Sequence, residues 1–464
     1  MIRDHLPECW QSCPGTLNLG ALLTNRKTEL KALATALLTF FLAFIPAVHA
    51  ADDLRESVAA DYDNNLEALF IHFHQNPELS NFEFETAKRM AAEIRALGYA
   101  VTEGVGGTGM VAVMENGSGP TVMIRADIDG LPLRENSGLD YASQVTQAGV
   151  DGKDYPVMHA CGHDVHITAL IGTARQMAER RDQWSGTLVL IGQPAEERIS
   201  GARAMLNDGL YERFPKPEYA LAFHVSASVP SGRVEIPLDV VGSSSDSVDI
   251  IVHGIGAHGA SPHEGIDPVL VASQIVVSLQ SVVSRSVSPL KAGVITVGSI
   301  HGGTKHNIIS DRVDLQLTVR ADDPEVRLQL LDGIDRVADG VGRSFGLPEE
   351  LLPEVHRSQV QTTLPAINDK DTAKRVLAAV TSQMGEEYVI QTARDGMSAE
   401  DFAYFIQPEL GVKGVYFVVG GTAEDELGNA PSHHSPFFKI EPAPSIKSGV
   451  EATVIAAMEL MPAK

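Results

Sequence analysis

TLVLIGQPAEE, Thr187 to Glu197, is the stretch on which the reading of the fold turns. Its first half is a short apolar run, of the length and character of a strand buried on both faces of a sheet. Gly192 and Pro194 end it. Two adjacent carboxylates, Glu196 and Glu197, follow at once. On a helix such a pair is an ordinary solvated face. Behind a buried strand and a proline it lies at the sheet edge, and in open α/β sheets ligands bind outside the carboxyl ends of the strands.

Similar strands lie on either side. TVMIRAD (Thr121 to Asp127) ends in Asp127, with Asp129 two residues on, and the turn NGSG joins it to VAVM (Val111 to Met114). YALAFHV (Tyr219 to Val225) carries His224 near its end, and VYFVVGG (Val415 to Gly421) is a further strand. Helices are expected from about Asp52, from Thr86 to Leu97, and after Asp164. In the last, Ile167, Leu170, Ile171, Ala174 and Met177 share one face, and Asp164 is the expected N-cap. Strands alternating with helices predict an α/β sheet. Three strand ends carrying carboxylates or an imidazole to one edge predict a site there.

From about Ser243 to Leu351 the order changes to strand, helix, strand, strand, helix. That order closes as a small α+β, ferredoxin-like unit with its helices on one face. It predicts an inserted domain (243–351) splitting the main domain into 52–242 and 352–464.

At 464 residues the chain has room for two or three domains, and 44% hydrophobic with 21% charged residues is a soluble globular composition. A net charge of −24 excludes nucleic acid as a partner, since phosphates would be repelled. Residues 1–50 differ from the rest. Arg26, Lys27 and Lys31 precede the apolar ALATALLTFFLAFI (Ala32 to Ile45), and PAVHA follows. This is the pattern of a secretory signal peptide cleaved near Ala50, too short for a comfortable membrane span. The mature protein is then exported, without a stable span, and Cys161 is its one remaining cysteine.

Cys161 lies in HACGHDVH (His159 to His166), two residues before His163. The pair is either a buried thiol beside a surface histidine or two ligands of one metal ion. Gly162 permits a tight turn, and the N-terminus of the helix behind it favours a thiolate. His433 and His434 in PSHHSPFF are either exposed loop or further ligands.

In order along the chain, RADIDGLPL, HACGHD, QPAEE, AFHV, GAHGASPHEGIDP, GGTKHNIISD, MSAEDFAYF and HHSPFF resemble the M20 metallopeptidases. The likeness is to the amidohydrolase subgroup that includes hippurate hydrolases and auxin-conjugate hydrolases. The resemblance implies two divalent metal ions per subunit, Zn²⁺ or Mn²⁺ with Co²⁺ as a further option. It implies Cys161 as the bridging ligand, His163, Glu197, His224 and His434 as terminal ligands, and Glu196 as general base. Asp127 would orient a ligand, and Arg125 stands where other branches carry a metal-binding histidine. His258 would donate to the oxyanion, reaching in from the partner subunit in dimeric members. Asn307 and Arg320 match the substrate side of the small domain, a lid and dimerisation unit whose closure would bring His258 and Arg320 over the metals. The implied substrate is an N-acyl or N-aroyl amino acid or related small amide. A dipeptidase or aminopeptidase on the same scaffold, or a non-catalytic binding protein, are the alternatives. His306 and Ser310 depart from the family pattern, as does GSSSDS in place of the usual Ala-Ser before the aspartate.

Overall fold

The computed structural model describes residues 53–392, Arg394 and residues 396–463. The expected leader, with Cys9 and Cys13, lies outside them.

An eight-stranded mixed sheet forms the main layer, in the order Ala100–Val105, Gly109–Asn116, Gly186–Gln193, Thr121–Asp127, Tyr219–Pro230, Lys413–Thr422, Val234–Glu235, Val389–Ile390. Its centre is parallel: Thr121–Asp127 lies between Gly186–Gln193 and Tyr219–Pro230, which in turn pairs with Lys413–Thr422. Both faces are covered, which is why these strands are apolar at consecutive positions. Leu188 and Leu190 pack with Ile167, Ile171, Val450 and Val454 on one side. Val189 and Ile191 pack with Met205, Phe402 and Phe405 on the other.

The register brings the chemical residues together. Asp127 lies opposite Gln193, at the same level of two neighbouring parallel strands, and His224 is paired with Val418. The helix expected after Asp164 begins earlier, at His163, and runs to Glu179. Asp164 is therefore not its N-cap. Gly162 holds that place at φ +83° with no side-chain cap, and Asp164 turns its carboxylate to His74 at 2.6 Å.

The insertion folds around its own core. Four antiparallel strands follow the order Gly293–Gly302, Arg312–Ala321, Ser245–His253, Glu354–Thr363. Helices Pro268–Ser281 and Pro324–Ser344 begin at Asp267 and Asp323, whose carboxylates accept first-turn N–H groups. Val271, Ile275, Leu330 and Ile334 from these helices pack with Val248, Ile250, Leu315 and Leu317 of the sheet. The strand order and the helix placement are ferredoxin-like. The expected boundary at 351/352 is corrected: strand Glu354–Thr363 completes this sheet, so the small domain runs to Thr363. One helix among the described residues, Pro268–Ser286, is long and apolar enough by composition to cross a membrane, but one of its faces is built into this core.

Candidate metal centre

Two loops and two strand ends converge beyond the carboxyl edge of the main sheet. After Gln193 the backbone turns sharply. Ala195 (φ +47°) and Ile199 (φ +52°) are left-handed non-glycine residues on either side of a single 3-10 turn, Glu196–Arg198. Such backbone is disfavoured and persists only when its surroundings dictate it. Here the buried carboxylate of Glu83 accepts from Ala195 N–H at 2.8 Å and also from the Thr108 hydroxyl. Asp129 accepts from Glu197 N–H at 3.1 Å and from Ser80 Oγ at 2.6 Å.

The imidazoles are oriented with equal definition. His163 Nδ1 donates to the Asp129 carbonyl at 2.8 Å, and His224 Nδ1 to the Val225 carbonyl at 2.6 Å. Each bond turns Nε2 inward. His224 Nε2 is 3.4 Å from Cys161 Sγ, and His434 Nε2 is 3.4 Å from Glu197 Oε1. His163 Nε2 lies 3.6 Å from Asp127 and 4.0 Å from Glu197. Donors about 2.0–2.3 Å from one tetrahedral ion stand about 3.3–3.6 Å apart. His163 Nε2 and Glu197 Oε1 are buried, and neither has a hydrogen-bond partner among the described residues. Cys161, Glu197 and His434 offer donor atoms within 4.8 Å of one another, as do His163, Glu196 and Glu197. The donor set fits divalent cations.

Charge supports the same fit. Asp127, Asp129, Glu196, Glu197, Glu400 and Asp401 crowd a region in which Arg125 is a buried counter-charge. Arg125 pairs with Asp127 at 2.7 Å, Glu400 at 2.7 Å and Asp401 at 3.4 Å, and its Nε donates to Gln193 at 2.8 Å. Burial, then the neighbouring Glu400, Glu197 and Asp401, push the Glu196 carboxyl well up. Burial, then Glu197 and Glu196, do the same to the Cys161 thiol. Burial opposes a charge on His163, but Asp127 and Asp129 outweigh it and lift its pKa to about 10. Cations bound there would compete with protons for the same groups.

The structure thus brings Cys161, His163, Glu196, Glu197, His224 and His434 into one site, with Asp127 at its wall. Both Asp127 oxygens are engaged, one by Arg125 and the other by His166 Nδ1. His166 Nε2 accepts from Val225 N–H at 2.9 Å, so neither of its nitrogens is available to a metal. His159 is buried nearby, and burial lowers its pKa to about 4.

The small-domain residues are not brought together. Asn307 adjoins His258, through Gly259 N–H to the Asn307 carbonyl at 2.9 Å and the pairing of His258 with Ile308. This hairpin lies beyond the Arg312 end of strand Arg312–Ala321. Arg320 is at the other end, where the Ala321 carbonyl meets Ser244 N–H. Arg312 and Arg320 are eight residues apart on that strand, a span of about 26 Å. Closure of one lid cannot carry both His258 and Arg320 of the same chain to one substrate, which corrects that expectation. The roles of Glu83, Glu400, Asp401 and His166 were not legible in the sequence, although MSAED and the HxxH spacing are visible there.

A mixed α/β layer with metal donors at its strand ends, joined to a small ferredoxin-like domain, defines a metal-dependent hydrolase of non-peptide carbon–nitrogen bonds. The chain belongs to peptidase family M20/M25/M40, whose model it matches over residues 123–459. It is 34% identical to thermostable carboxypeptidase 2 of Saccharolobus solfataricus over 83% of this chain and 93% of the relative. It is also 34% identical to hippurate hydrolase of Campylobacter jejuni, over 75% and 86%. The crystal structure of the Bacillus subtilis YXEP protein, described as a dinuclear metal-binding peptidase of the M20 family, superposes with a TM-score of 0.69. The identity is 26%, covering 86% of this chain and 98% of that one.

Proposed function

We propose that this protein is a binuclear amidohydrolase that cleaves the amide bond of N-acyl or N-aroyl amino acids. Cys161, shared between them, with His163, Glu197, His224 and His434 would hold two divalent ions, Zn²⁺ or Mn²⁺ with Co²⁺ as a further option. The observation that carries this is the pair of buried donors without a hydrogen bond among the described residues, His163 Nε2 and Glu197 Oε1, in a cluster rich in carboxylates. Two ions there would supply Lewis acidity for the amide carbonyl and lower the pKa of water.

The chain's own groups do the rest. Glu196 takes the proton of the attacking water and hands it to the departing amine, so that water adds across the C–N bond and leaves a carboxylic acid and an amine. Asp127, held between Arg125 and His166, fixes the wall against which His163 stands. Arg320 is half-buried and has no ion pair among the described residues, a state suited to a substrate carboxylate. His258 and Asn307 act on the site of a second copy, His258 donating to the oxyanion. The distance between His258 and Arg320 within one chain supports a homodimer formed through the small domain. So do the exposed Val269, Leu270 and Val277 on its first helix and the exposed Val294 and Ile300 on its edge strand. The leader supports export, with cleavage near Ala50.

The Campylobacter relative favours an N-aroyl substrate. The Saccharolobus relative favours a second reading, a peptide substrate. A screen of metal-reconstituted enzyme on hippurate, N-acetyl amino acids and dipeptides separates them. Hydrolysis of the acyl amino acids is expected, and cleavage of dipeptides alone overturns the proposal.

A further inference from the structure

Of the neighbouring histidines in PSHHSPFF, only His434 stands beside Glu197. His434 is left-handed (φ +61°), and its N–H donates to the Ala160 carbonyl at 2.9 Å, so the two rings point to different places. His433 packs between the rings of His224 and Phe438, with centroids 5.4 and 4.6 Å away. Its Nε2 accepts the Ala227 N–H at 3.1 Å. In a neutral imidazole, an accepting nitrogen leaves the proton on the other one. Because Nε2 accepts a backbone N–H it carries no proton of its own, and the ring is the neutral form. Nδ1 therefore carries the N–H, and it lies 3.7 Å from Cys161 Sγ.

We propose that His433 is a positioning residue for the metal centre, donating an Nδ1–H···S hydrogen bond to the Cys161 thiolate. This rests on the reading of Cys161 as a metal ligand. A direct ligand role for His433 is excluded by the same geometry: Ala227 occupies one nitrogen and the proton occupies the other. A fixed N–H aimed at sulfur favours the thiolate and draws electron density from it, which would leave metal ions held by that sulfur more electrophilic. The residue also holds sulfur in place beside His224 Nε2.

The test uses the full chain loaded with Co²⁺, whose sulfur-to-cobalt charge-transfer band in the near ultraviolet reports directly on the thiolate. His433→Phe and His433→Leu remove the donor while filling the space, and His433→Gln restores an N–H. Two Co²⁺ per chain are expected in every variant. In the Phe and Leu variants the band should move to lower energy and competition with a chelator should show affinity weakened about 10–100-fold; Gln should recover both. An unmoved band with unchanged affinity overturns the hydrogen bond, and loss of one Co²⁺ per chain makes His433 a ligand and overturns it equally. Absence of any thiolate band in the wild type would remove the Cys161 reading and this proposal together, whereas a wild-type band that fails to move removes only this proposal.

Discussion

At the scale of single residues, long-range polar contacts make the site. His74 shows this away from the ligands. Its two nitrogens meet Asp164 at 2.6 Å and Glu135 at 3.1 Å, and all three groups are buried. Burial works against its charge, but the two carboxylates outweigh it and raise its pKa to about 9. A histidine raised in the folded state contributes stability that is fully present below its unfolded pKa of about 6.5. That stability is lost as pH rises through about 9. On the acid side the lowered pKa values of Asp164 and Glu135 act in the opposite sense, and their stabilisation disappears as pH falls through them. His74→Gln should therefore cost about 3–5 kcal/mol at pH 6 and distinctly less at pH 10, read as the difference in urea midpoints from the wild type. An equal loss at both values would show that the charge of His74 does not matter. Cys161, Glu196, Glu197 and His224 were legible as site candidates because each follows a recognisable strand or turn. The Glu83 contact with Ala195 was not, because its partners are 112 positions apart and nothing local marks them. The resemblance singled out His434 over His433, but the place of His433 beside Cys161 was hidden, since it depends on the left-handed backbone of His434.

At the scale of elements, the turn into helix His163–Glu179 makes a strict local demand. Gly162 is left-handed, and a Cβ there would meet Val225 Cγ1 at 2.3 Å. An L-residue at that φ costs about 1–2 kcal/mol before the clash is counted. Gly162→Ala should displace Cys161 and His163 and lower metal affinity well before the helix itself is lost. Metal content after dialysis should fall while far-ultraviolet circular dichroism stays near wild type. Full metal retention would show that the turn tolerates the change. The buried strands were legible because burial on two faces demands unbroken apolar runs. Strand Glu354–Thr363 was missed for the opposite reason: as an edge strand it is half exposed and carries Glu354, His356 and Arg357. Asp164 was misassigned as a cap because its polarity fits a helix start equally well when its carboxylate serves His74.

At the scale of the whole molecule, the small domain presents Arg320 at its junction with the main sheet and His258 with Asn307 at its far tip. If each active site draws His258 from the other copy, two differently crippled chains should complement. Mixing Glu196→Gln with His258→Ala chains, each inactive alone, should restore up to about half the activity per mixed dimer, because one of its two sites has both groups intact. No recovery on mixing, under conditions where exchange is demonstrated, would place His258 in its own chain's site. The family, the two-domain plan and the metal edge were legible from ordered motifs. The separation of His258 from Arg320 was not, because it depends on which end of strand Arg312–Ala321 meets the main domain.

The central claim is that this edge holds two metal ions and that Glu196 moves the proton. It is tested most directly by measuring bound metal and hippurate turnover together in Glu196→Ala. Two ions per chain with turnover reduced by about 10²–10⁴-fold are expected. Turnover retained at the wild-type rate, or fewer than two ions bound by the wild type, would contradict it.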